Sequence, residues 1–315
     1  MKTLEKKLQK KISIVVPCYN ESEVLQAFNE RLSKVLIELQ DYIHEVIYVD
    51  DGSSDNTYRI LEGFKRESDC INIISFSRNF GHQIAITAGI ETSTGDAVII
   101  IDADLQDPPE LIKEMISIWL EGVDVVYAVR NSRNGESKFK ILTAKYFYKL
   151  IYKLSDIKIP INTGDFRLMD RKVVDIFCSM AERDRYVRGM ISWIGFIQRP
   201  IFYDRDIRFA GKTKYTFLKM MNFALDGLIS FSKKPLQIAT LIGIFSFLLS
   251  ILGVLYSLFM RFTTDNWVPG WTLMFIAVLL IGGLQLVFLG LIGEYIGRIY
   301  GESKKRPLYI KNESK

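Results

Sequence analysis

Two histidines and three cysteines are all that the 315 residues contain, and their placement excludes several chemistries at once. Cys18, Cys70 and Cys178 are far apart and odd in number, without the paired spacing of a zinc site or the density of a disulfide scaffold. They read as reduced core residues. His44 and His82 stand equally alone and read as structural rather than catalytic. There is no G-x-G-x-x-G and no G-x-x-x-x-G-K-[ST], so neither a dinucleotide cofactor nor a P-loop is indicated. The net charge of +5 comes with no aromatic-basic platform, which argues against a nucleic-acid partner. Anionic lipid accounts better for the excess positive charge.

Charge is also missing from two long stretches. Hydrophobic residues make up 49% of the chain, and the excess lies after Pro235. No charged residue occurs over 235–260, and none over 266–293. Each stretch as a helix would run roughly 40 Å, against about 30 Å of hydrocarbon in a bilayer. Two transmembrane helices are expected, since two core helices of a soluble domain would each keep a polar face. Lys233 and Lys234 precede the first, Lys304, Lys305, Arg306 and Lys311 follow the second, and Trp267 and Trp271 suit an interface. The positive-inside rule then puts both chain ends in the cytoplasm and the hairpin loop outside. The apolar run over 12–16 is too short for a signal peptide.

The remainder alternates short β-branched runs with amphipathic patterns. Strands are expected at 12–18, 45–49, 71–76, 97–101 and 123–129, and helices at 21–39, 55–66, 84–91 and 109–120. Asp107-Pro108-Pro109-Glu110 looks like a helix start, with Asp near the cap and Pro in the first turn. This βαβ rhythm gives an α/β, Rossmann-like, mostly parallel sheet with helices on both faces, and ligands bind beyond the carboxyl ends of such strands. Three of those ends are unusual: Pro17-Cys18-Tyr19-Asn20-Glu21, Asp50-Asp51-Gly52-Ser53-Ser54-Asp55 and Asp102-Ala103-Asp104. Asp102 and Asp104 could both reach one divalent cation if the chain bends between them, an arrangement suited to Mg²⁺ or Mn²⁺ on a diphosphate. Taken alone, 50–55 reads as a turn with a helix cap.

Together these segments resemble the family 2 inverting glycosyltransferases of GT-A fold. Residues 77–83 (SRNFGHQ), 102–110 (DADLQDPPE), 163–171 (TGDFRLMDR) and 210–215 (AGKTKY) resemble, more narrowly, the polyisoprenyl-phosphate glycosyltransferases. That group includes dolichyl-phosphate mannose synthase and the bactoprenol glucosyltransferases, and the likeness extends to the two C-terminal spans of the bactoprenol branch. It implies that Asp102 and Asp104 meet the metal and the nucleotide diphosphate, with Gln106 a further ligand. Pro17, Tyr19, Glu21, Asp50 and Asp51 would line the base and ribose, without settling which of the two aspartates meets the base. Asp165 matches the position regarded as the catalytic aspartate.

A lipid phosphate has its second pKa near 6, so at neutral pH it is mostly a dianion and needs little help from a base. Asp165 is therefore expected to orient the acceptor or sugar, with proton abstraction the lesser role. An acid beside a dianion requires cations between them. Arg130, Arg208 and Lys212 are the chosen phosphate-binding candidates among Arg133, Lys140, Arg205 and Lys214. Lys145, Lys149 and Lys153 recur every fourth residue, and 216–232 gathers Phe217, Met220, Met221, Phe223, Leu228 and Phe231 away from Lys219, Asn222, Asp226 and Ser230. The second segment is expected to lie in the headgroup region; the first fits that place and an ordinary packed helix equally.

The expected organisation is a cytoplasmic catalytic domain over 1–215, an interfacial helix over 216–234, spans over 235–260 and 271–295 flanking an external loop over 261–270, and a cytoplasmic tail over 296–315. The expected activity is inverting transfer of a hexose, glucose first, from a UDP-sugar to undecaprenyl phosphate at the inner membrane. UDP-N-acetylhexosamine, an amino-arabinose nucleotide or GDP-mannose are alternative donors. A processive polysaccharide synthase is less suited: Q-x-x-R-W is missing, the nearest segment being Arg188-Gly189-Met190-Ile191-Ser192-Trp193, and two spans are few for a polymer channel. A non-catalytic nucleotide-sugar sensor is the alternative from another class. Gly282, Gly283, Gly290 and Gly293 would let spans pack closely in a homo-oligomer.

Overall fold

The computed structural model describes residues 9–131, 163–204, 234–263 and 271–312. It divides into two compact units, one holding the sheet and the tail from Arg306, the other the two long C-terminal helices. In chain order the first unit contains β1 (Lys11–Cys18), α1 (Leu25–Glu38), β2 (Ile43–Asp50), α2 (Thr57–Glu67), β3 (Ile71–Ser75), α3 (His82–Thr92), β4 (Ala97–Ile100), α4 (Leu111–Leu120) and β5 (Val125–Arg130). It continues with β6 (Thr163–Asp170), α5 (Arg171–Ser179), α6 (Val187–Ile194) and β7 (Gln198–Tyr203). The first nine elements lie within a few residues of where hydrophobic periodicity places them.

The seven strands are ordered β3-β2-β1-β4-β6-β5-β7. The pairs β1–β2, β1–β4, β2–β3 and β5–β7 are parallel, and β6 alone runs antiparallel, between β4 and β5. Strands β1, β2 and β4 are almost wholly buried, as expected of β-branched runs covered on both faces. Helix α1 buries Leu25, Phe28, Leu32 and Val35, and α4 buries Ile112, Met115, Ile116 and Trp119, each set one stripe of a 3.6-residue period. A second, smaller cluster joins Ile47, Val49, Ile74 and Phe76 to Ala85 and Ala88 of α3.

Register aligns the chemistry. Cys18 pairs with Asp50 and Asp50 with Ser75, so β1, β2 and β3 end level on one edge. On the antiparallel side Ile100 pairs with Arg167; continuing two residues brings Asp165, near the start of β6, opposite Asp102, just past the end of β4. An antiparallel strand thus delivers its first residues to the edge where parallel strands deliver their last.

The start of α4 differs from expectation. Its N-cap is Glu110, with no side-chain cap bond, and Asp107 turns away into a buried polar cluster described below. The three cysteines are free, with Cys18 buried. In the second unit α7 (Lys234–Thr263) and α8 (Trp271–Ser303) run for 30 and 33 residues. Taken over the described residues alone, no helix is long and apolar enough to cross a membrane, and the two expected spans rest on the sequence.

Candidate active site

The turn after β2 is laced to the turn after β1. Asn20, at φ +53°, accepts the Ser54 N–H at 2.9 Å, and its own N–H donates to Ser53 Oγ at 3.0 Å. The Glu21 N–H donates to Thr57 Oγ1 at 2.9 Å, and the Ser22 N–H to Asp55 at 3.2 Å. Pro17 is buried at the end of β1, while Tyr19 is exposed and Glu21 half-buried. Asp50 is fully buried and accepts Ser53 N–H and Ser75 Oγ–H, both at 3.0 Å. Asp51 accepts the N–H groups of Phe80 and Gly81 at 2.6 and 3.0 Å; burial nevertheless pushes its carboxyl upward. These two carboxylates hold backbone, one within its own turn and the other across to the loop before α3. Gly52 seats that loop: its φ is +66°, and a Cβ there would lie 2.4 Å from the Arg78 carbonyl carbon.

Beyond β4 the chain turns at Ala103–Asp104, with Leu105 buried at φ +59°. Such a conformation costs about 1–2 kcal/mol in a residue with a Cβ. Asp104 Oδ1 accepts the Gln106 N–H at 3.1 Å. Asp102 Oδ1 and Gln106 Oε1 are both buried and accept no hydrogen bond. Buried polar atoms are rarely left so; Asp102 Oδ1 still has the His82 ring 3.4 Å away, whereas Gln106 Oε1 invites a ligand. Among the described residues no group of three or more His, Cys, Asp and Glu side chains is arranged to hold a metal ion. A cation here would have to complete its shell with oxygens from Gln106, water or a bound diphosphate, which is how Mg²⁺ usually sits on nucleotides.

Asp165 faces Asp102 and is 3% exposed. Arg188 of α6 grips it with both prongs, Nε to Oδ1 at 2.7 Å and Nη2 to Oδ2 at 2.9 Å. Gln83 braces the pair, its Nε2 donating to Asp165 Oδ2 at 3.3 Å while its Oε1 accepts the Val187 N–H at 2.9 Å. Burial alone would raise the Asp165 carboxyl, but Arg188 and then His82 hold it well below the usual range. His82 is not a remote structural residue, as its isolation in sequence suggested. Its Nε2 lies 3.4 Å from both Asp102 Oδ1 and Asp165 Oδ2. Burial would lower its pKa, but these two carboxylates raise it to about 9. Asp102 itself is pushed up to about 6, first by burial and, against the pull of His82, by the crowding of Asp165, Asp107 and Asp104.

A second cation borders the same edge. Arg130, at the end of β5, donates Nε–H to the Tyr203 hydroxyl at 3.2 Å and lies 3.6 Å from Asp107. Tyr203 in turn donates to Asp107, and its hydroxyl is held protonated by burial and that carboxylate. Gly164 lets this cluster approach: a Cβ there would lie 3.0 Å from Arg130 Nη2. Arg167, 4% exposed, donates to the backbone carbonyls of Gly164 and Asp165. Arg208 and Lys212 lie outside the described residues, as do Arg133, Lys140, Arg205, Lys214 and the segments with Lys145–Lys153 and 216–232.

The structure thus brings Asp102, Asp104, Gln106, Asp165 and Arg130 to one edge, and adds His82, Gln83, Arg188 and Tyr203. It gathers carboxylate and amide oxygens beside the guanidinium groups of Arg188 and Arg130, which are held by Asp165 and by Tyr203 and Asp107. The family model described as "Glycosyl transferase family 2" matches residues 13–177, more than half of the chain and every one of those residues up to Asp165.

The chain belongs to glycosyl transferase family 2.

A second model, "GtrB C-terminal hairpin", matches residues 234–299 of this glycosyltransferase. An uncharacterized glycosyltransferase of Bacillus subtilis, YkcC, is 50% identical over 305 residues, covering 96% of this chain and 93% of that protein. The bactoprenol glucosyl transferase of Shigella phage SfX is 41% identical over 300 residues, covering 95% and 98%. Among solved structures, the crystal structure of mannosyl-3-phosphoglycerate synthase from Rubrobacter xylanophilus is 20% identical, with a TM-score of 0.49, over 70% of this chain and 73% of that one.

Proposed function

We propose that this family 2 glycosyltransferase moves glucose from UDP-glucose to a polyprenyl phosphate at the cytoplasmic face of a membrane, with inversion at the anomeric carbon. The 41% identity to bactoprenol glucosyl transferases over nearly the full length of both chains supports the acceptor and the sugar. The observation that carries the reading in this chain is a pair of buried oxygens that accept no hydrogen bond, Gln106 Oε1 and the His82-facing Asp102 Oδ1, beside the Arg188-clamped Asp165.

Asp102, Asp104 and Gln106 fit a hard divalent cation, Mg²⁺ or Mn²⁺, through oxygen donors alone. Such an ion when bound acts as a Lewis acid on the diphosphate leaving group. The protein groups do the rest. Asp102 is crowded by three other carboxylates in a buried place, so the site as built favours positive charge. The acceptor's phosphate oxygen attacks the anomeric carbon from the side opposite the diphosphate, the sugar–diphosphate bond breaks, and UDP leaves with the bonding electrons. No proton need be removed from a dianionic phosphate. Asp165 therefore acts as a held anion, its two oxygens already engaged by Arg188, that orients sugar or acceptor. Arg130, at the end of β5, is the candidate to meet the incoming phosphate, with Arg208 and Lys212 as further candidates.

The hairpin reading concerns the second unit. Helices α7 and α8 present large apolar side chains outward, Phe245 and Leu286 among them at 66% and 70% exposure. Lipid would cover them, and the flanking lysines and arginines support a reading with both ends of the hairpin on the cytoplasmic side.

The test is transfer from a panel of labelled nucleotide sugars to undecaprenyl phosphate by the full chain in detergent with Mg²⁺ or Mn²⁺. A lipid-soluble product from UDP-glucose is expected, and Asp104→Asn should abolish turnover and metal-dependent UDP binding together. Product from a different donor would replace the sugar, and near-normal turnover by the variant would remove the cation from the site.

A further inference from the structure

The last described residues of the chain do not trail away. Six residues past the end of α8, the tail pairs with the open edge of β3. Ile310 accepts the Ser77 N–H at 3.0 Å, the Asn312 N–H donates to Ser75 at 2.8 Å, and Phe76 bridges Lys311 in antiparallel fashion. Tyr309 stacks on Phe76, centroids 4.9 Å apart and planes 23° from parallel, and its hydroxyl donates to Glu91 of α3 at 3.1 Å. It thereby closes the apolar cluster beneath α3 together with Phe80 and Ile84.

What this edge supports is the loop that leads to the site. Phe76 meets Phe80 edge-on at 5.6 Å, and the Arg78 guanidinium lies 4.0 Å above the Phe80 ring. Phe80 and Gly81 give their N–H groups to Asp51. The next two residues, His82 and Gln83, touch Asp102 and Asp165. The loop over 77–81 has one side on the turn at Gly52 and the other on the tail. An edge strand capped in this way loses its open hydrogen-bonding row, but β3 is only five residues long and needs little protection. Tyr309 and the Ile310–Asn312 pairing meet it at the end from which the loop departs.

We propose that the C-terminal tail is a positioning element of the active site, with Tyr309 as its anchor, holding the 77–81 loop so that His82 and Gln83 stay in place against Asp102 and Asp165. The inference rests on the transferase reading for its functional consequence, and on geometry alone for the ordering of the loop. Tyr309 is a positioning residue, since it reaches the reacting groups only through Phe76 and Phe80.

The experiment compares the full chain with Tyr309→Ala, Tyr309→Phe and a chain ending after Leu308, all in detergent, by donor KM, kcat and amide hydrogen exchange. Loss of an aromatic stack and two edge hydrogen bonds is expected to raise donor KM on the order of tenfold in the shortened chain. Exchange at the amides of Phe80 and Gly81 should rise by a similar factor while β1 and β4 stay protected. Tyr309→Phe keeps the stack and should recover most of both. Unchanged exchange at the loop in the shortened chain would overturn the proposal, and so would faster exchange spread evenly through the sheet, which marks lost stability rather than lost position. If the unaltered chain transfers sugar from no donor, the transferase reading fails, and the exchange comparison still decides whether the tail orders the loop.

Discussion

Asp165 is ion-paired through both of its oxygens before any substrate arrives, and that limits what it can do. A carboxylate held well below its ordinary pKa by a forked guanidinium is a poor proton acceptor and a good fixed charge. Arg188→Met should leave that charge buried and unpaired except for His82 and Gln83. Breaking a buried pair in this way costs on the order of 3–5 kcal/mol, so the melting temperature should fall. Misplacement of Asp165 should lower kcat about a hundredfold, with UDP affinity little changed. Arg188→Lys should not restore turnover, since a point charge cannot make both contacts. Parallel kcat and UDP-binding measurements decide it: preserved kcat with a lowered melting temperature would make Arg188 a stability residue only. Asp102 and Asp104 were legible because acids at a strand end break the local apolar pattern, whereas Asp165 was legible only through the family likeness of 163–171. Arg188 was not, because a single cation on a helix has no sequence neighbour to mark it, and His82, although inside the 77–83 likeness, read as a structural residue. Only the antiparallel pairing of β6 and the docking of α3 bring them within 3.4 Å of the acids. Asp50 and Asp51 sit between these cases: their turn was readable, but their hydrogen-bond partners Ser75, Phe80 and Gly81 lie 25 to 30 residues on.

At the scale of elements, strands β1 to β5 could be read, and β6 and β7 could not. Strands β1, β2 and β4 are apolar runs between turn signals, whereas β6 reads Thr-Gly-Asp-Phe-Arg-Leu-Met-Asp and is buried on both faces. Its polar residues are there for the site, and they erase both alternation and apolar continuity. The opposite edge of the sheet shows how a buried charge is accommodated without function. Glu45 accepts Ser13 Oγ–H at 2.5 Å and Thr94 N–H at 3.0 Å, and pairs with Lys11 at 3.1 Å. Burial favours its neutral form, but these donors win and lower its pKa. A carboxyl whose folded pKa is depressed contributes stability above its unfolded value, near 4.3, and loses it as pH falls through the folded value. Glu45→Gln should therefore melt below the unaltered chain at pH 7, by an amount corresponding to about 1–3 kcal/mol. The gap should narrow as both are acidified below about pH 4. A gap independent of pH would mean that shape and not charge holds this corner.

For the whole molecule, the question is how a soluble donor meets an acceptor with an isoprenoid tail. A sheet edge carrying fixed arginines supplies the polar half of the answer, and the proposed hairpin supplies the apolar half by keeping the domain at the bilayer. The tail after the hairpin ends on the same unit as the active site, so the chain is tied to that domain both before α7 and after α8. On the proposed reading both ends of the hairpin lie on one side of the membrane and Asp265 is reached from the other. Cysteine labelling in intact cells tests it. Asp265→Cys should react with a membrane-impermeant maleimide added from outside, while Ser314→Cys should react only after permeabilisation. The native thiols do not interfere on this reading, because Cys18, Cys70 and Cys178 all belong to the cytoplasmic domain. Cys18 is additionally buried, with its thiol pKa pushed up first by burial and then by nearby carboxylates. Labelling at 314 but not at 265 from outside would invert the protein and separate the site from a cytoplasmic UDP-sugar. Labelling at neither position before permeabilisation would mean that the helices do not cross, and the acceptor would then have to be reached from a surface-bound hairpin.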